Sequence, residues 1–246
     1  MVTEEQISID SVEIPFHAGE TIMQAAYNAG IYIPHLCYRP GLSVHGSCRM
    51  CLVHVNGHEK AACTTPAATG QQIGNCSEAL RQQRLLLIKM LFVEGNHICP
   101  ACEQSGRCEL QALAYDLGMT APDLPHFQPK RTVDASHQEV NIDHNRCIAC
   151  AQCVRAGDEI DGSHAFALSG RGIQTRLIPN APSGRFADTA IHASDAAVAA
   201  CPVGTLLPKH RGFNIPIGQR IYDRKPIHKL AMEKGYIHHD DTAGKS

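Results

Sequence analysis

The chain has 246 residues, with Lys+Arg 22 against Asp+Glu 24, a formal net charge of −2 and a pI near 6.7. That balance excludes a general nucleic-acid binder, which shows a basic footprint. Hydrophobic residues make up 43%, aromatics 5%, and there is no Trp, which is thin for the two or three small domains the length allows.

In chain order, Gln6 to Phe16 alternates Ile7, Ile9, Val12 and Ile14 around a turn at Asp10-Ser11 and reads as strand. Gly19-Glu20-Thr21 opens a helix carrying Ile22, Ala25, Ala26 and Ala29, which Gly30 ends. A loop from Cys37 to Cys48 follows. Cys51 to Val55 and Lys60 to Cys63 form a hairpin around Asn56-Gly57, and Gln71 to Asn75 supplies another strand. Ser77 caps a helix from Glu78 to about Glu94, whose Leu80, Leu85, Leu87, Ile88, Leu91 and Phe92 suit a buried linker helix. Gly95-Asn96 stops it, and Cys108 to Leu117 is a short helix. Pro122, Pro125 and Pro129 mark a loop between modules.

The next unit runs from about Glu139 to Leu207. It has a helix near Ala151 to Ile160, strand-like pieces Ala165–Leu168 and Ile173–Ile178, and a helix Ser194–Ala200. The remainder, Lys209 to Ser246, is polar and increasingly irregular, and its last ten residues are expected to be disordered. The expected divisions are 1–77, 78–120, 138–208 and a tail 209–246. The chain's start, Met1-Val2-Thr3-Glu4-Glu5-Gln6, has no basic or apolar leader pattern. The longest apolar run, Leu85 to Val93, is broken by Lys89 and too short to span a bilayer. A cytoplasmic location is expected, where cysteine-rich sequences bind metal more often than they form disulfides.

Eleven of the twelve cysteines fall into three metal-binding patterns. Cys37, Cys48, Cys51 and Cys63 are spaced C-x10-C-x2-C-x11-C, a longer-looped variant of the plant-type [2Fe–2S] spacing C-x4-C-x2-C…C. Four-cysteine zinc sites use paired C-x2-C units, and only one such pair is present here. Cys99-x2-Cys102-x5-Cys108 is preceded by His97, which in an extended segment faces the same side as Cys99. His97 and Cys99 can therefore share an iron–sulfur cluster with Cys102 and Cys108, and a three-cysteine, one-histidine zinc site is the alternative. Cys147-x2-Cys150-x2-Cys153 supplies three corners of a cubane, with Cys201-Pro202 expected at the fourth. Cys76 is left over and is expected to be a small buried residue. Three clusters in one short chain imply that it conducts electrons and leaves the chemistry to others.

The words Pro34-His35-Leu36-Cys37-Tyr38, Gly46-Ser47-Cys48-Arg49-Met50-Cys51-Leu52-Val53 and Cys99-Pro100-Ala101-Cys102-Glu103-Gln104-Ser105-Gly106-Arg107-Cys108-Glu109-Leu110 resemble the N-terminal part of the complex I large iron–sulfur subunit. One departure is the histidine, spaced H-x-C here and H-x3-C in that family. The tail from Cys201-Pro202-Val203-Gly204, followed by Gly212-Phe213 and Pro216-Ile217-Gly218-Gln219-Arg220-Ile221-Tyr222-Asp223, resembles the diaphorase iron–sulfur subunits of cytoplasmic NAD-reducing [NiFe] hydrogenases. The resemblance implies an α+β protein: a β-grasp [2Fe–2S] ferredoxin domain, a helical [4Fe–4S] segment with one histidine and three cysteine ligands (His97, Cys99, Cys102 and Cys108), and a small [4Fe–4S] ferredoxin-like domain. It implies a flavin subunit binding FMN and NAD on one side. On the other it implies a small hydrogenase subunit beside a large subunit with the nickel–iron site.

No G-x-G-x-x-G, P-loop or nucleophile–base arrangement is present, so no substrate site of its own is expected. The rivals are an equivalent subunit of an NAD-linked formate dehydrogenase, an [FeFe] hydrogenase or a complex I-like enzyme. A zinc-stapled interaction protein is the rival from another class.

Overall fold

The structure, a computed structural model, describes residues 5–127 and 130–233. Pro129 and the last ten residues, for which sequence raised expectations, lie outside the described residues.

The alternation of Ile7, Ile9 and Ile14 with polar residues produces a hairpin of β1 (Gln6–Ile9) and β2 (Val12–Pro15). Its turn residues Asp10 and Ser11 both take positive φ, as a two-residue hairpin turn requires. Asn56-Gly57 does the same between β3 (Leu52–Val55) and β4 (His58–Ala61). β5 (Gln72–Gly74) runs parallel to β1 and antiparallel to β3, joining both hairpins in one sheet of order β2-β1-β5-β3-β4. Helix α1 (Ile22–Asn28) starts at a capping box between Thr21 and Gln24 and buries Ile22, Met23, Ala25 and Ala26 in the core shared with Ile7, Ile9, Val53 and Ile73.

Ser77 accepts a hydrogen bond from the Leu80 N–H and starts α2 (Glu78–Glu94), which Gly95 ends. This helix is less buried than its leucines suggest. Leu80 and Ile88 are inaccessible, but Leu85, Leu87, Leu91 and Phe92 are half-buried, and Leu86 and Met90 are about half exposed at 50% and 52%. Its inward face includes a charge. Arg84 is buried and donates to the carbonyls of Leu52 (2.7 Å) and Asn75 (3.0 Å) and to Asn75 Oδ1 (2.8 Å), which fastens α2 to the first sheet.

Helix α3 (Glu109–Asp116) buries six consecutive residues, Glu109 to Ala114, and is the centre of the larger core. That core takes Tyr32, Leu36 and Met50 from the first segment, Ile88 from α2, and Val140, Phe186 and Val203 from the last. The last segment has a sheet of order β10-β7-β6 built from β6 (Val133–Asp134), β7 (Val140–Asp143) and β10 (Leu206–Pro208). It also has α4 (Gln152–Ala156), which widens into a turn over Gly157–Asp161, a hairpin of β8 (Phe166–Ser169) and β9 (Arg176–Pro179), and α5 (Ala196–Ala199).

The stretch after Lys209, read from sequence as irregular, carries α6 (Ile221–Arg224) and α7 (Ile227–Met232). They fold back on α3. Tyr222 donates its N–H to the Gly106 carbonyl at 3.0 Å, His228 hydrogen-bonds Asp116, and Ile227 is buried in the larger core. Among the described residues no helix is long and apolar enough to cross a membrane.

Because Arg84 satisfies three buried acceptors, Arg84→Ala is expected to cost on the order of 2–3 kcal/mol. Thermal unfolding followed by circular dichroism checks it, with a fall in Tm of about 4–10 °C expected for a chain of this size.

Candidate metal centres

The first thiol group gathers at one end of the first sheet. Cys63 follows β4, Cys51 precedes β3, and Cys37 and Cys48 sit on the loop between α1 and β3. Cys37, Cys51 and Cys63 are each 1% exposed, while Cys48 is half-buried. Arg49, between Cys48 and Cys51, takes φ +57°, a left-handed conformation that tightens the turn. The Cys51 and Cys63 sulfurs are 3.3 Å apart. A hydrogen bond from the Cys48 thiol lowers the Cys37 pKa to about 5, and one from Cys63 lowers Cys51 to about 7. The two donor thiols are pushed up in turn. The loop closes tightly over the group: at Gly46, φ +71°, an added Cβ would come within 2.8 Å of Thr64 Cγ2, beside Cys63.

In the second group Cys99 lies on a short helical turn, Cys102 follows it, and Cys108 caps α3. Burial raises the pKa of all three thiols, and the charges of Cys99 and Cys102 act on Cys108. The Gln111 and Leu110 N–H groups point at the Cys108 sulfur, and the Gln104 N–H points at Cys102. His97 lies beside them. Its ring packs on Phe92 (centroids 5.4 Å apart) and lines a cavity of about 300 Å³ with Cys99 and Gln111. Burial first, and then the Arg146 charge, lower its pKa to about 4, so the imidazole is neutral. The structure gathers the three cysteines with His97 beside them, its ring pressed against Gly95, where an added Cβ would meet Nε2 at 2.4 Å.

In the third group Ala149 and Ala151 take φ +51° and +55°, which coils the Cys147–Cys153 loop so that three sulfurs face one interior. Cys201, just after α5, joins them, and its charge acts on Cys147, Cys150 and Cys153. Burial is the largest influence on those three and pushes them up. N–H groups of Ala149, Gln152 and Val154 point at their sulfurs.

All twelve cysteines are free thiols. Among the described residues no three histidine, cysteine, aspartate or glutamate side chains close around a single metal ion. The donor sets nevertheless fit iron–sulfur clusters. Each is a set of buried and half-buried thiols with main-chain N–H groups turned toward sulfur, whose thiolates would repel one another, so bound cations are needed to hold that charge in a low-dielectric interior.

The groups adjoin in an order the chain does not follow. The first touches the third: Gln152 donates to the Leu36 carbonyl, Arg39 donates to Gln152 Oε1 and the Ala200 carbonyl, and Arg155 donates to the Cys37 carbonyl. The third touches the second. The Glu109 N–H donates to the Pro202 carbonyl at 2.9 Å, and Gly204 lies so close to Cys102 that an added Cβ would meet its sulfur at 2.9 Å. Sequence reading did not single out Arg39, Gln152, Arg155 or Gly204 as site residues. The one available signal was a charge inside a cysteine-rich word, Cys153-Val154-Arg155. Cys76, expected to be buried, is exposed, with its N–H on Asp10 Oδ1 at 3.2 Å.

Residues 3–78 match the model of a 2Fe-2S iron–sulfur cluster binding domain. Residues 84–123 match the NADH-ubiquinone oxidoreductase-G iron–sulfur binding region, and 140–207 a 4Fe-4S single cluster domain. The gamma subunit of the NAD-reducing hydrogenase HoxS of Cupriavidus necator is 38% identical over 229 residues, covering 93% of this chain and 97% of that subunit. The chain belongs to this hydrogenase gamma-subunit family. A crystal structure of NAD+-reducing [NiFe]-hydrogenase in the H2-reduced state contains a chain 49% identical to this family member, with a TM-score of 0.88 over 91% of this chain and 95% of that one. The 78 kDa subunit of mitochondrial NADH-ubiquinone oxidoreductase from Candida albicans is 32% identical over 218 residues. That match covers 86% of this chain but 29% of the larger protein.

Gly204→Ala in this gamma-subunit relative is expected to unseat Cys102 and leave the other thiol groups in place. Iron analysis with EPR of the reduced protein checks it: the second group's signal is lost or altered while those of the first and third persist.

Proposed function

We propose that the chain is the electron-conducting iron–sulfur subunit of a cytoplasmic NAD-reducing [NiFe] hydrogenase. Cys37, Cys48, Cys51 and Cys63 hold one [2Fe–2S] cluster. Cys99, Cys102 and Cys108, with His97 as fourth ligand, hold a [4Fe–4S] cluster, and Cys147, Cys150, Cys153 and Cys201 hold another. The His97 assignment is supported by its neutral, buried ring beside Cys99. The mixed sheet clasping α1 suits a β-grasp ferredoxin domain over residues 1–77. Residues 78–120 and 138–208 would form the two further cluster modules.

Such clusters, when bound, accept and release single electrons. The chain's own residues fix their spacing, exclude water from the sulfurs and aim N–H dipoles at them, which sets how readily each is reduced. The observation that carries the proposal is the contiguity of three thiol groups through Arg155 and Gln152 on one side and Gly204 and Glu109 on the other. A row of this kind suits transfer between two partners better than chemistry on a substrate. FMN and NAD would lie on a flavin subunit, and the nickel–iron centre on a large subunit reached through a small hydrogenase subunit.

Hydrogen-dependent NAD reduction by the complex that co-purifies anaerobically with a tagged form of this chain tests the proposal. Activity that follows the tag is expected, and NADH-to-dye activity with no response to hydrogen would reject hydrogen as the donor. Cys150→Ser is expected to abolish hydrogen-dependent NAD reduction and leave NADH oxidation by a small dye largely intact. Equal loss of both activities would mean collapse of the subunit instead.

A further inference from the structure

We infer that Arg155 is a positioning residue that locks the first and third thiol groups together and, as a buried positive charge shared between them, favours the reduced state of both. This rests on the assignment of those thiols as cluster ligands. Arg155 lies on α4, two residues after Cys153, and is 9% exposed. One nitrogen, Nη2, donates to the carbonyl of Cys37 at 2.6 Å and to that of Cys150 at 3.3 Å, so a single atom bridges a ligand of each group. Nη1 donates to the Ser43 carbonyl, and Nε to the Ala151 carbonyl at 3.2 Å. A planar guanidinium fork meets acceptors from two loops at once, whereas an ammonium on a flexible stem would not hold the same geometry.

Those carbonyls orient the charge without neutralising it. Among the described residues Arg155 forms no ion pair. Glu159 feels its charge but is exposed, and accepts hydrogen bonds at both oxygens from the N–H and hydroxyl of Ser43. A buried cation is costly unless opposite charge lies near. In this interior the opposite charge is that of the thiolates on either side, which grows when a bound cluster gains an electron. Net charge is one of the determinants of cluster potential, and it acts strongly at low dielectric. The second group differs. Its neighbouring cation, Arg146, is already paired with Glu103 and Asp143, each at 3.0 Å. The second group is therefore an internal control.

The test is a redox titration of the anaerobically purified complex followed by EPR, with Arg155→Gln and Arg155→Lys. In Arg155→Gln the midpoint potentials of the first and third groups are expected to become more negative, the second to stay in place, and the magnetic interaction between first and third to weaken. In Arg155→Lys the two potentials are expected to return to wild-type values. Unchanged potentials in Arg155→Gln, an equal shift of all three groups, or a shift as large in Arg155→Lys as in Arg155→Gln would each overturn the inference. Should Arg155→Gln lose iron from either group, Arg155→Lys decides alone. Both potentials must then hold while the magnetic interaction weakens; a fall in either, or an unchanged interaction, overturns it. A wild-type titration that shows no [2Fe–2S] signal would instead overturn the ligand assignment itself.

Discussion

Keeping eleven sulfurs together in a protein interior is an electrostatic problem before it is a packing problem. Burial pushes most of these thiols upward in pKa, and each thiolate formed makes its neighbours harder to ionise. The chain meets this with main-chain dipoles. N–H groups from the residues after Cys102, Cys108, Cys147, Cys150 and Cys153 point back at the sulfurs. At Cys48, Cys147 and Cys150 this turning goes with left-handed backbone at Arg49, Ala149 and Ala151, which costs a non-glycine residue roughly 1–2 kcal/mol each. Strain of that size persists only where the surroundings over-determine it. Under the proposed cluster assignment, ligation by the thiols provides the compensation.

The same constraint explains why the larger core is shared. Loops shaped around sulfur offer little apolar surface, so the hydrophobic burial that stabilises them comes from elsewhere in the chain. Helix α3 supplies much of it, buried over Glu109–Ala114 and covered by α2, α7 and the first segment's Tyr32 and Leu36. A common core also holds the three groups at constant separation, which electron transfer requires more than it requires motion. Each group nonetheless leaves one thiol partly exposed, at Cys48, Cys99 and Cys147, so each approaches the surface at one edge.

Local structure was legible wherever a short-range signal had a mechanism behind it. Asp10-Ser11 and Asn56-Gly57 turned two hairpins, and Thr21 and Ser77 capped α1 and α2 at the expected residues. Strands β6 and β10 were not legible, because they are two and three residues long and exist only through pairing with β7, as in Leu206 opposite Ile142. Helices α6 and α7 have weak intrinsic patterns and are held by α3 and the loop before it, through contacts such as His228 on Asp116 and Tyr222 on Gly106. Cys76 was misjudged because a cysteine's usual burial says nothing of a residue tied by its backbone to an exposed turn at Asp10.

Spacing alone identifies which cysteines group together, since most of each set lies on one short loop. Tertiary structure decided how the groups stand to one another. The third group, last in the chain, lies against the first through Arg155, Gln152 and Arg39 and against the second through Gly204 and Pro202. Contacts between residues this far apart in the chain leave no periodicity or motif to read. They arise because a buried guanidinium or amide must find acceptors wherever the fold brings them.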